Sequence, residues 1–143
     1  MLFTVVALAL VHFCVGKTFT PCEFALELQK LNVSRHEIGD FVCMVRHGTN
    51  VGINTRRMVV SPSGNVEMGL FKISTTYWCK DSRNFHNICN LDCEKLVDDD
   101  VEDDLACARR AMSDLNKGFR TFDSWTLNCE DRDVDKDISD CGL

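Results

Sequence analysis

The chain has 143 residues, of which 45% are hydrophobic and 27% charged, with a formal net charge of −6. That length suits one domain. The acidic balance argues against nucleic acid, whose phosphates require Lys/Arg clusters, and no stretch is long enough to span a bilayer.

Residues 1–16, MLFTVVALALVHFCVG, form an apolar run without acid, Lys or Arg. They read as a secretory signal peptide cleaved near Gly16–Lys17, although the usual positive n-region is missing. The expected product is a secreted, extracellular domain over 17–143. Of nine cysteines, removal of Cys14 leaves eight: Cys22, Cys43, Cys79, Cys89, Cys93, Cys107, Cys129 and Cys141. An even set in a short secreted chain implies disulfides. Eight cysteines allow about a hundred pairings, so connectivity does not follow from counting. His86, Cys89 and Cys93 offer a metal alternative, which the even count and an oxidising compartment disfavour.

Thr20-Pro21-Cys22-Glu23 opens a helix with a capping box and proline in the first turn. Phe24, Leu28 and Leu31 share one face of it. Asn32-Val33-Ser34 is a glycosylation sequon. A second box, Ser34 to Glu37, opens a helix with Ile38, Phe41, Val42 and Val45 at helical spacing, and Gly48 ends it. Met58–Val60, the Ser61–Gly64 turn and Asn65–Ile73 read as a β-hairpin leading to a further short strand. Val101, Leu105, Ala108, Met112 and Leu115 mark a third long helix, and a short one includes Phe122 and Trp125. Helices, a small sheet, then helices indicate an α+β domain with the sheet as a side lobe.

Between Cys93 and Cys107 lie Glu94, Asp98, Asp99, Asp100, Glu102, Asp103 and Asp104 against one Lys95. Such crowding raises the free energy of an ordered chain, and a hard cation taking several oxygen ligands relieves it. No EF-hand fits, because the central glycine is absent and Arg109 stands where a closing Glu would be. A solvated acidic run capping a helix is the simpler alternative.

The cysteine ladder Cys79-x9-Cys89-x3-Cys93-x13-Cys107, followed by Cys129-x11-Cys141, resembles the C-type lysozyme and α-lactalbumin family (glycoside hydrolase family 22). KTFTPCE at the start, DFVC at 40–43, GLFKIS at 69–74, YWCKD at 77–81 and NIC at 87–89 carry the same resemblance, over Lys17 to Leu143. It implies a lysozyme-like fold, with a cleft between a helical and a sheet lobe. It also implies bridges Cys22–Cys141, Cys43–Cys129, Cys79–Cys93 and Cys89–Cys107. KLVDDDVEDD is similar to the calcium loop of α-lactalbumin and of calcium-binding lysozymes. On that likeness the side chains of Asp98, Asp103 and Asp104, with the carbonyls of Lys95 and Asp100, bind Ca2+. Asp99 and Glu102 are then expected to face solvent and to supply field rather than bonds to the ion.

Lysozymes cleave peptidoglycan or chitin with two carboxyl groups, one a proton donor held neutral in an apolar pocket and one a nucleophile or stabiliser. That two-carboxyl scheme is the lysozymes' own, and it comes to this chain only through the resemblance. The family's donor follows the second mature cysteine by five residues, and here that position is Gly48. The second carboxylate position holds Glu67. The wall behind the donor is Phe122 where Trp is common, Lys72 replaces a Gln, and the segment from Gly48 to Met58 is about two residues longer than in common lysozymes. Tyr77, Trp78 and Asp114 match saccharide-contacting positions. The expectation is a secreted, monomeric, calcium-binding, lysozyme-like protein of innate defence. It would bind peptidoglycan or chitin oligosaccharides without muramidase catalysis. Two alternatives stand beside it: a weak glycosidase using Glu67 with water or His47, and a regulatory partner in the manner of α-lactalbumin.

Overall fold

The computed structural model describes residues 16–48, 52–83 and 86–143. The expected signal segment therefore lies outside the described residues, apart from Gly16.

Strand β1 (Thr18–Phe19) pairs antiparallel with β2 (Ile53–Asn54) and joins the start of the chain to the edge of the sheet lobe. Helix α1 (Pro21–Lys30) begins as its sequence dictates. The Thr20 hydroxyl accepts from the Glu23 amide, and the Glu23 carboxylate accepts from the Thr20 amide. Phe24, Ala25 and Leu28 are its buried face. Helix α2 (Arg35–His47) has Ser34 at its cap, yet the expected second box does not form. The Ser34 hydroxyl instead donates to the Glu37 carboxylate (2.8 Å). Arg109 also draws on that carboxylate, with two nitrogens at 3.0 and 3.1 Å. Ile38, Phe41, Val42 and Val45 are buried along α2, as the helical spacing predicts. Gly48 terminates α2 at φ −72°, so it ends the helix without a left-handed cap.

The Arg109 guanidinium and the Ser34 hydroxyl hold the Glu37 carboxyl below its ordinary value. Its contribution to stability is thus present above the ordinary carboxylate range and lost as pH falls through the depressed value. Glu37→Gln should lower stability at pH 7 by under about 1 kcal/mol, since both side chains are partly exposed. The loss should vanish at a pH low enough to protonate Glu37. Melting curves of the two proteins at neutral and acid pH check this; an equal difference at both would remove the ion pair from the account.

Strands β3 (Met58–Val60), β4 (Val66–Met68) and β5 (Ile73–Ser74) form an antiparallel sheet in that order. The turn after β3 is the expected Ser-Pro-Ser-Gly, with Gly64 at φ 82°. Helix α3 (Val101–Asp114) buries Val101, Leu105 and Ala108, while Leu115 caps it and is 47% exposed. Helix α4 (Asp123–Asn128) is held on α2 by the Trp125 indole N–H, which donates to Asp40 Oδ1 (2.8 Å). Phe24, Phe41 and Phe71 form the aromatic centre of the core, with ring centroids 5.5 to 6.2 Å apart. The fold is α+β: among the described residues, four α-helices stand beside small antiparallel sheets.

Four bridges close the fold: Cys22–Cys141, Cys43–Cys129, Cys79–Cys93 and Cys89–Cys107. They are the pairs that the resemblance implies. Cys89 and Cys93 are thereby committed to sulfur, and the metal alternative with His86 falls. Among the described residues no helix is long and apolar enough to cross a membrane.

Candidate saccharide cleft and acidic loop

A cleft of about 340 Å³ separates the sheet from the helices. Val59, Val60, Glu67 and Trp78 line the sheet side, and Leu115 and Phe122 the helical side. Glu67 is the middle residue of β4, opposite Val59 of β3 and Ser74 of β5. Backbone pairing on both sides therefore fixes where its carboxyl enters the cleft. Trp78 stands beside the buried Cys79, half-buried and facing the same space.

Among the described residues the end of α2 offers no carboxyl group across from Glu67; the other acid lining the cleft is Asp123 of α4. Gly48 has no side chain, and a Cβ there would lie 3.0 Å from Ser124 Cβ. Its carbonyl accepts from the Arg57 guanidinium. Phe122 is buried in the helical wall of the cleft. His47 points elsewhere: its Nε2 lies 2.7 Å from Arg132 Nη1 and 3.8 Å from Asp137. That orientation disfavours His47 as a substitute donor towards Glu67. Among the described residues, the group of side chains with metal-like spacing is Cys43, His47 and Asp137, and the Cys43 sulfur is already in a bridge.

The saccharide triad expected from sequence is only partly assembled. Trp78 lines the cleft. Tyr77 is 53% exposed with its ring 5.2 Å from that of His86. Asp114 is paired with Arg110 at 2.8 Å, and Leu115 rather than Asp114 lines the cleft.

The acidic loop runs through a 3-10 turn, Cys93–Val97, into α3. Asp100 caps α3 by accepting from the Glu102 amide (3.0 Å). Asp98 accepts from the Asp100 amide (2.9 Å) and pairs with Lys95 Nζ (3.2 Å). Asp104 is 2% exposed and accepts from the Leu70 amide at 3.3 Å. Burial, and then the charge of Asp103, push its carboxyl up to about 9. Burial also pushes Asp103 up, with Asp98 and Asp100 adding to it. Asp103 Oδ1 is buried and has no hydrogen-bond partner. Gly69 permits this packing, since a Cβ there would overlap the Leu96 carbonyl and Asp104 Oδ1. The buried Asp104 carboxyl and the orphaned oxygen of the half-buried Asp103 make a donor set that fits a hard cation.

Asp99 is exposed, as the resemblance implies. Its Oδ1 also accepts from the Thr55 hydroxyl (2.6 Å) and the Lys17 amide (2.8 Å), contacts with no local signal in the sequence. These bonds hold its carboxyl below the ordinary range, Thr55 most strongly. The acidic loop is thereby tied to the β1–β2 edge. Sequence reasoning also missed Arg57 and Ser124. Neither has a periodicity or local motif that points to the end of α2, which is brought to them by tertiary folding.

The model of the C-type lysozyme/alpha-lactalbumin family matches residues 17–141. The chain belongs to this family. Among family members, lysozyme C of Equus asinus is 33% identical over 132 residues, covering 89% of this chain and all of that protein. The solved structure of a lysozyme from Equus asinus superposes with a TM-score of 0.79, at 32% identity and 89% coverage of this chain. A lysozyme from Litopenaeus vannamei gives a TM-score of 0.80 at 28% identity, covering 89% of this chain and 98% of that one. Membership in this lysozyme-type glycoside hydrolase family accounts for the two lobes, the four bridges and the cleft between the lobes.

Proposed function

We propose that this protein is a secreted, calcium-binding member of the family that binds cell-wall or chitin saccharides and lacks muramidase catalysis. One observation carries the reading: the cleft holds Glu67 and Trp78, while position 48, where the family places its proton donor, is a glycine. Glycosidic cleavage requires a proton on the leaving oxygen, and a positioned acid is worth typically ~10²–10⁴-fold in rate. Glu67 keeps one carboxyl group beside the sugar path, where it can accept hydrogen bonds from hydroxyl groups. The indole of Trp78 offers an apolar face and an N–H donor, the combination that suits a pyranose ring.

In the acidic loop, the side chains of Asp98, Asp103 and Asp104 and the carbonyls of Lys95 and Asp100 would hold Ca2+. Ca2+ held there would supply positive charge to the crowded carboxylates of the 3-10 turn and the first turn of α3. The support is the buried, partnerless Asp103 Oδ1 beside the buried Asp104.

The reading is tested by titrating the protein with chito-oligosaccharide and soluble peptidoglycan fragments while following both binding and product. Saturable binding that weakens on Trp78→Ala, without product, is expected. Product formation supports the weak-glycosidase alternative. Capture of a protein partner that added sugar does not displace supports the regulatory one.

A further inference from the structure

Arg57 sits between β2 and β3, and its guanidinium reaches back to the end of α2. Nη2 donates to the Gly48 carbonyl. A cation there satisfies one of the carbonyls that a helix leaves open at its C-terminus and matches the dipole. Nη1 is buried without a hydrogen-bond partner. Burial pushes the guanidinium down from its ordinary value and the charge of Glu67 pushes it back up, but an arginine stays charged throughout.

We propose that Arg57 closes the proton-donor position: its guanidinium, bonded to the Gly48 carbonyl, sets a positive charge beside any carboxyl group carried at position 48. This rests on the reading that the protein is catalytically silent, and adds a second lock to the missing side chain. A general acid must carry its proton at working pH, which an apolar pocket favours. An adjacent cation does the reverse, lowering a carboxyl group by roughly 1–3 units. The unsatisfied Nη1 is a ready donor, and a carboxylate placed at position 48 would take a charge-assisted bond from it. An ionised carboxylate cannot donate a proton. Other charges face the same region: Glu67 from β4, Lys72 from the turn before β5 and Asp123 from α4 line the cleft. Arg46 and His47 are turned to Asp137 and Arg132. Arg57 is the one bonded to the Gly48 backbone, so its contact outweighs them. Replacing glycine alone therefore leaves the site without an acid.

The test compares Gly48→Glu with Gly48→Glu/Arg57→Gln. The introduced carboxyl group is 13C-labelled and its titration followed by NMR. Crowding against Ser124 is common to both and cancels. The expected result is a midpoint below the ordinary glutamate range in the single variant, and higher by about one unit or more in the double. Gly48→Glu/Arg57→Met, equally uncharged, serves if the glutamine variant does not fold. Equal midpoints with and without Arg57 overturn the proposal. Cell-wall lysis by the unmodified protein overturns the silent reading instead, and is measured separately on the wild type.

Discussion

Chelation of calcium should lower the melting temperature of the protein by on the order of 10 °C. A ligand that binds only the folded state stabilises it by ~2.7 kcal/mol at about a hundredfold excess over its dissociation constant, and a domain of this size shifts a few degrees per kcal/mol. The reason lies in the first turn of α3. Asp104 is buried, and Asp103 Oδ1 is buried with no hydrogen-bond donor. Each unsatisfied buried polar atom costs about 1–3 kcal/mol, and a cation removes that cost at Asp103. Asp103→Ala deletes the orphaned oxygen and one ligand together. It should abolish the sensitivity to chelator while leaving a folded protein. Differential scanning calorimetry with and without chelator reads both effects. Coincident melting curves for the unmodified protein would remove calcium from the account.

Loss of the Cys89–Cys107 bridge should be of similar size. It joins the segment before the acidic loop to the second turn of α3 across 18 residues. Constraint of an unfolded loop of that length is worth roughly 3 kcal/mol, equivalent to a melting shift on the order of 10 °C. The double substitution Cys89→Ala/Cys107→Ala avoids a free thiol. It should also weaken calcium binding, because Asp103 and Asp104 lie on the α3 turns that the bridge anchors. Calorimetry gives the first effect and a calcium titration the second. An unchanged melting temperature in the double variant would show that the bridge adds nothing beyond the remaining three.

Much of the fold was legible because its signals are local. The Thr20–Glu23 box, the Ile38–Val45 stripe and the Ser61–Gly64 turn each specify their own element, and each forms where expected. The cysteine pairing was legible only through resemblance, since spacing alone leaves the pairs open. The misses are tertiary. Ser34 and Glu37 form a side-chain pair rather than a capping box because Arg109, 72 residues on, takes the Glu37 carboxylate. Asp99 is bonded because β1 and β2 bring Lys17 and Thr55 to it. Arg57 reaches Gly48, nine residues before it in the chain, through a contact that no local pattern announces. Asp114 resembles a cleft residue in sequence, yet a contact one helical turn away, with Arg110, claims it. In each case a long or charged side chain chose its partner after the backbone was placed.

The central claim is that the cleft binds saccharide and does not cleave it. Its most direct measurement is release of reducing ends from peptidoglycan by purified wild-type protein, expressed in a host without lysozyme. The account predicts release at background, with Glu67→Gln indistinguishable from wild type. Release well above background by the unmodified protein, lost on Glu67→Gln, would contradict it.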